Sequence, residues 1–470
     1  MGTGRWYSSC GVHYNKHNIT VMFGNISIRF AHLGFAAAAL LRVCAAVSAE
    51  EDKADYSGDQ VYRVFTHNAS ALVHDMIRPV VGSQYDVWMQ NDKFVDVRLG
   101  RDAFAEIARE NSLEYEVYVS DIEAAIRDTM PGNSEYNVNS DSMQHAFGSY
   151  GGDLFFDEYR DLHTIDLWLQ LLEQTYPSLV KLEQITTTPE GHPLNVVHVS
   201  AQNTEANPDK KTIVISGGLH AREWISVSTT LFMLQRLLQE YGQDKSTTHY
   251  LDSLDFLFIP VFNPDGYEYS WHGDRLWRKN RQATGVEQCP GIDLDRSFNY
   301  EWDESEAHEY PCSESYNGGA PFAAAETKAW HEYLGGIKGD YRIFGYLDLH
   351  SYSEEILYPY GYSCEAVPRD FENLLELAFG LAKAVRLTTR KNYDVVAACK
   401  DAGSDLTPGM GGGSALDYMY HNRARWALQL KLRDTGSHGF LLPPKFIRPV
   451  GHEIYAALRY FCGFILNPEM

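Results

Sequence analysis

His220-Ala221-Arg222-Glu223 sets an imidazole and a carboxylate three residues apart. The pair follows the apolar run Thr212 to Ser216 through Gly217-Gly218, so it falls where a strand gives way to a helix. Both side chains can face one metal there. His350 stands just after a second strand-like run, Tyr341 to Leu349. Two histidines and a glutamate, with a fourth position left to water, form the donor set of a catalytic zinc, one ion. The bare His-x-x-Glu pattern also arises by chance, and histidines are often half-buried core residues. More of the chain is needed to choose between the readings.

A third stretch bears on what such a site could do. Trp426, Leu428, Leu430 and Leu432 alternate with Ala427, Gln429, Lys431 and Arg433. A period of two predicts a strand with one apolar and one polar face, ended by a turn from Asp434 to Gly439. By itself Lys431 reads as a lysine on the wet side of that strand.

The elements around these residues alternate. From Phe155 onward the sequence predicts helices over 165–176, 224–241, 371–386 and 451–464, with Thr164 as N-cap of the first. Strands fall at 194–200, 212–216, 255–262, 341–349 and 428–432. The fold class is α/β, a mixed and mainly parallel sheet sandwiched by helices, and ligands of such sheets sit at the carboxyl ends of strands. Residues 50–130 predict a small α+β unit, with strands near 60–65, 85–89, 94–99 and 115–119 and helices near 69–80, 104–111 and 122–129. Residues 131–154, rich in Gly, Ser, Asn and Asp, read as a linker open to proteases.

Before the α+β unit lies a leader, residues 1–49. The apolar run from Leu33, broken by Arg42 and ending Val47-Ser48-Ala49, reads as a secretory signal. It is too short and too interrupted to span a bilayer comfortably. Met1 to Val21 is long and polar for such a signal, and Met22 is an alternative start. The chain has 470 residues and a net charge of -23, which argues against nucleic acid or an anionic membrane as partner. Of seven cysteines, Cys289 and Cys312 bracket a loop-like stretch, and Cys364 and Cys399 could form a second pair. Asn68 opens a glycosylation sequon. The expected location is the secretory pathway, secreted or vacuolar.

From Phe155 to its end the chain resembles the zinc carboxypeptidases of the A/B type. The matching motifs are Gly218-Leu219-His220-Ala221-Arg222-Glu223-Trp224, Asn263-Pro264-Asp265-Gly266-Tyr267, Arg275-Leu276-Trp277-Arg278-Lys279-Asn280-Arg281, Gly291-Ile292-Asp293-Leu294-Asp295-Arg296, His350-Ser351-Tyr352 and Leu432-Arg433-Asp434-Thr435-Gly436. Residues 50–130 resemble that family's inhibitory prosegment more weakly. The resemblance implies zinc on His220, Glu223 and His350. It gives Arg278 the scissile carbonyl and Arg296 the C-terminal carboxylate of a peptide. Arg222, Ser351 and Tyr352 would line subsites, and Leu416 would set a preference for an apolar C-terminal residue. Cys289–Cys312 matches the family's common disulfide. A monomer is implied, with its own prosegment as intramolecular partner and a peptide or protein C-terminus as ligand.

Three positions depart from the family pattern. The general-base glutamate is replaced by Lys431. The asparagine beside the carboxylate-binding arginine is Asp295. The mobile tyrosine falls near Pro408-Gly409, where no tyrosine stands. A positioned general base is worth roughly 10²–10⁴ in rate, and a lysine beside a divalent cation must turn aside or lose its proton. This combination looks like the secreted fungal inactive metallocarboxypeptidases linked to cell-wall organisation. The expectation is therefore a zinc-binding protein without turnover. The alternative is an active carboxypeptidase releasing apolar C-terminal residues.

Overall fold

A computed structural model describes residues 10–15, 18–23, 26–30, 53–66, 86–91, 93–132, 154–201, 210–304, 311–401 and 410–467. The expected signal, the helix at 69–80, Asn68, most of the linker and Pro408-Gly409 lie outside the described residues. The chain forms two units, 1–54 and 55–470. In the first, β1 (Cys10–Asn15), β2 (Asn18–Phe23) and β3 (Ile26–Phe30) pair antiparallel in that order, within the stretch read above as leader.

The second unit opens with a small α+β lobe. Its elements are β4 (Asp59–Phe65), β5 (Asp86–Gln90), β6 (Phe94–Gly100), α1 (Arg101–Asn111), β7 (Tyr115–Val119) and α2 (Ile122–Thr129). The strands form an antiparallel sheet in the order β5-β6-β4-β7. Alternation puts Val95, Val97 and Leu99 of β6 on one face, where they pack with Phe104 and Ile107 of α1. Each such buried side chain contributes about 1.5–3 kcal/mol.

The large lobe then runs α3 (Leu162–Thr175), β8 (Val180–Thr187), β9 (Pro193–Val199), β10 (Lys211–Gly217), α4 (Trp224–Glu240), α5 (Lys245–Ser253), β11 (Leu254–Ile259) and α6 (Pro264–His272). It continues with α7 (Ala325–Gly336), β12 (Arg342–Ser351), β13 (Glu355–Tyr358), α8 (Phe371–Thr389), β14 (Asp394–Ala397), α9 (Ala415–Asn422), β15 (Trp426–Leu432) and α10 (Ile447–Leu466). The N-cap of α3 is Asp161, not Thr164: its carboxylate accepts from the Thr164 amide, the capping bond acidic residues make well.

Eight strands form the main sheet in the order β14-β13-β15-β12-β10-β11-β9-β8. The centre, β15-β12-β10-β11, is parallel, and β9 and β8 close one side antiparallel. Ile213 and Ile215 of β10 face one core with α4, α8 and α10, while Val214 between them faces a second core with Trp330 of α7 and Met419 of α9. The sheet is thus buried on both faces. That corrects the half-wet reading of β15. Ala427 and Gln429 are buried, and of that face only Lys431 keeps partial exposure.

Candidate metal centre

Gly217 and Gly218 let α4 start close above the end of β10. A Cβ on Gly217 would lie 2.4 Å from Thr230 Oγ1, and Gly218 has φ +69°. The turn after them presents His220, and Glu223 occupies the N-cap of α4 without capping it. Its carboxylate is used elsewhere. Next door, β12 delivers His350 at its own carboxyl end.

The three side chains converge. His220 Nδ1 lies 2.9 Å from Glu223 Oε1, His350 Nδ1 lies 3.0 Å from Glu223 Oε2, and the two Nδ1 atoms are 3.1 Å apart. Tetrahedral zinc with bonds of about 2.0–2.1 Å sets its donors about 3.3 Å apart. The donor set fits that ion in type and in spacing. Glu223 Oε2 also accepts from the Ser351 amide at 3.1 Å. Burial works to raise the Glu223 pKa, but His350 and His220 outweigh it and hold the carboxyl well below the usual range.

Behind each histidine stands a carboxylate. His220 Nε2 is 3.0 Å from Asp293 Oδ1, and His350 Nε2 is 3.2 Å from Asp348 Oδ2. Such partners fix ring orientation and turn the other nitrogen toward a metal. Burial lowers the His350 pKa, yet Glu223 and Asp348 raise it further than burial lowers it. Asp293 also accepts from Arg278 Nη2 at 2.8 Å, so one buried carboxylate aligns His220 and the arginine beside it.

Lys431 pairs with His350 across the β12–β15 register. Its side chain is only 12% exposed and lines the same cavity as the zinc donors. Nζ donates to Asp401 Oδ2 at 2.5 Å. Burial pulls the ammonium pKa down, but Asp401 and Glu355 raise it above the ordinary lysine value. The lysine has turned aside and kept its proton.

Arg278, Asp295, Arg296, Ser351 and Tyr352 line that cavity too, with Gln429. Gly411, at φ +74°, makes room for Arg296, since a Cβ there would lie 2.0 Å from Nη1. The Asp295 carboxylate accepts from the Ala415 amide at 2.8 Å and from Gln429 Nε2 at 3.2 Å, and burial raises its pKa. It therefore holds the start of α9 as well as facing Arg296's pocket. Leu416 does not line the cavity. It is fully buried in the second core, because α9 turns that side chain into the packing with Phe298 and Ala427.

The small lobe closes the site. Arg222, fully buried, donates through Nη1 to both oxygens of Asp86 at 2.9 and 3.0 Å. Burial would raise the Asp86 pKa, but Arg222 and Arg98 lower it. Two residues on, Trp88 lines the cavity and packs edge-on against Phe440. Arg63 forks onto Asp96, which also accepts from the Tyr352 hydroxyl at 3.4 Å. The cavity over the zinc donors keeps about 30 Å³, room for about one or two waters.

Sequence reasoning missed Asp86, Trp88, Asp293, Asp348 and Asp401. Asp348 was within reach: it stands two residues before His350 on a strand, and so on the same face. Cys289–Cys312 and Cys364–Cys399 are disulfide-bonded, with Cα separations of 4.7 and 5.3 Å, and Cys462 is free and buried. Among the described residues no helix is long and apolar enough to cross a membrane.

The zinc carboxypeptidase family model matches residues 165–457. An inactive metallocarboxypeptidase ECM14 of Saccharomyces cerevisiae is 53% identical over 431 residues, covering 92% of this chain and 97% of that protein. An inactive metallocarboxypeptidase ecm14 of Talaromyces marneffei is 40% identical over 441 residues, covering 89% of this chain and 74% of that protein. Among solved structures, thrombin-activatable fibrinolysis inhibitor superposes with a TM-score of 0.75 at 28% identity, covering 87% of this chain and 99% of that one.

Proposed function

The chain belongs to the zinc carboxypeptidase family, as one of its inactive homologues, and on that premise we propose that it holds one zinc ion and binds a peptide or protein C-terminus without cleaving it. The observation that carries this reading is Lys431. A donor set of His220, Glu223 and His350 is complete, while the side chain beside it is an ammonium committed to Asp401.

When bound, zinc would supply a Lewis acid for a carbonyl oxygen. The chain's own groups supply recognition. Arg296 offers a planar fork to a terminal carboxylate, and Arg278, aligned by Asp293, offers donors to the carbonyl oxygen of the last peptide bond. At the position of Lys431 they offer no proton acceptor. Lys431, protonated, has no free lone pair, and Asp401 is already its acceptor. The pocket beside Arg296 is lined by Asp295, Asp401 and Gln429 together with Met410, Trp88 and Phe440, so it offers an incoming terminal residue both polar and apolar contacts.

Residues 50–130 act in this proposal as a prosegment that occludes the pocket through Asp86 and Trp88, and residues 131–154 are where it would be cut. Two disulfides support passage through an oxidising compartment, hence a secreted or vacuolar protein, glycosylated at Asn68. The resemblance to fungal relatives supports a role in cell-wall organisation, as a monomer. The test is zinc content together with hydrolysis of blocked dipeptides ending in Leu or Phe, before and after removal of the small lobe. Near-stoichiometric zinc with no turnover is expected. Turnover of about 1 per second or more would establish the active-enzyme alternative instead.

A further inference from the structure

A second cavity lies at the other end of the sheet. The starts of β12 and β15 and the end of α9 border an open hollow of about 310 Å³. Along β12 it stands eight residues from His350, roughly 26 Å at the usual strand rise. Its lining includes Arg342, Arg369, Arg423, Arg425, His421 and Phe344. Four arginines share one hollow in a chain whose 63 acidic residues outnumber its 40 Lys and Arg.

Their neighbours do not neutralise them. Arg425 pairs with Asp370 at 2.9 Å, but both side chains are nearly half exposed, and such pairs contribute little. Arg369 donates to the Tyr420 carbonyl at 2.5 Å, which fixes its guanidinium at the rim. Arg342 rests over the Phe344 ring and pairs with no carboxylate among the described residues. The Nε of Arg423 is buried without a hydrogen-bond partner. Lys211 lies over the same Phe344 ring, and its pKa is lowered by burial and then by Arg342 and Arg425. These cations repel one another, and a bound anion would relieve that repulsion.

We propose that this cavity binds a small phosphate monoester. Planar guanidinium forks match phosphate oxygens. Ile343, Phe344 and Ala424 give the floor an apolar part for a short carbon body. The size lies at the lower end of the roughly 300–1,000 Å³ usual for ligand pockets. The net charge of -23 repels long polyanions and anionic surfaces, so a small soluble ligand suits the site better than either.

The experiment is calorimetric titration of the full chain with inorganic phosphate and with phenyl phosphate, at constant ionic strength. Saturable 1:1 binding is expected, tighter for phenyl phosphate. Arg342→Gln with Arg423→Gln should weaken it about tenfold or more and leave zinc content unchanged. Arg423 is partly buried, so the exposed Arg342→Gln is tested alone as well, with a loss of several-fold expected. No saturable heat, equal affinity in Arg342→Gln, or equal displacement by chloride would overturn the proposal. So would binding to vesicles containing phosphatidic acid without binding to either soluble phosphate.

Discussion

Lys431 donates to Asp401 at 2.5 Å, on the strand next to the one that carries His350. The ammonium thus has a partner that stabilises it and holds its pKa above the ordinary lysine value.

Restoring the glutamate alone should therefore fail. Lys431→Glu would set a carboxylate against Asp401 in a buried site, where one of them must take a proton or move away. We expect hydrolysis of a blocked dipeptide ending in Phe to rise less than about tenfold, against the roughly 10²–10⁴ that a positioned base can supply. Adding Asp401→Asn and Asp295→Asn should give more than the sum of the single effects, since all act on one bound substrate. Full activity from Lys431→Glu alone would sink the idea.

The carboxylates behind the histidines should matter for metal retention. Asp348→Asn keeps the shape but weakens the acceptor that orients His350. Zinc affinity, read by competition with a chromophoric chelator, should fall about 10–100-fold. His350→Ala should abolish stoichiometric zinc. Unchanged affinity in Asp348→Asn would mean that the rings are held by packing alone.

Much of this site was legible because local chemistry and strand ends coincide. His220, Glu223 and His350 follow apolar runs of β10 and β12, and the parallel centre of the sheet brings those ends together. What was not legible depends on contacts distant in sequence. Asp401 meets Lys431 across 30 residues, and Asp86 meets Arg222 across 136. Leu416 lies in the second core, where the helix register set by the Ser414 cap and Asp295 turns it, and no alternation in the sequence shows that. The wet face assigned to β15 failed for a similar reason. Alternation reports two faces, not which of them is covered.

The small lobe should be held by the Asp86–Arg222 pair. Asp86→Ala leaves the fully buried Arg222 without its carboxylate. Removing one member of a buried pair costs about 3–5 kcal/mol. The denaturant midpoint of the full chain should fall, or proteolysis of residues 55–130 should speed up. Asp86→Leu with Arg222→Met should recover much of the loss. If Asp86→Ala matches wild type in both measurements, the pair does not hold the lobe.

Stability should be greater in mild acid than at neutral pH. Glu326 and Asp417, both buried, and the half-buried Glu355 are carboxyls whose pKa values burial, the largest cause in each, pushes up to about 7. Their ordinary values are 4.5 for the glutamates and 3.8 for the aspartate. The folded chain holds these protons more tightly than the unfolded chain. Their stabilising effect is complete below the ordinary values and is lost as pH rises through about 7. At 1.36 kcal/mol per unit, the loss is at most about 3–4 kcal/mol for each glutamate and about 4–5 kcal/mol for the aspartate. His192, raised by its bond to Asp265, works in the same direction. Any loss of bound zinc in acid would oppose the trend, so melts belong with and without chelator. With chelator, Tm should be several degrees higher near about pH 5 than near about pH 7.5. Glu326→Gln and Glu355→Gln should flatten the slope. A Tm that rises with pH over this range would show that these carboxyls are solvated in the folded protein.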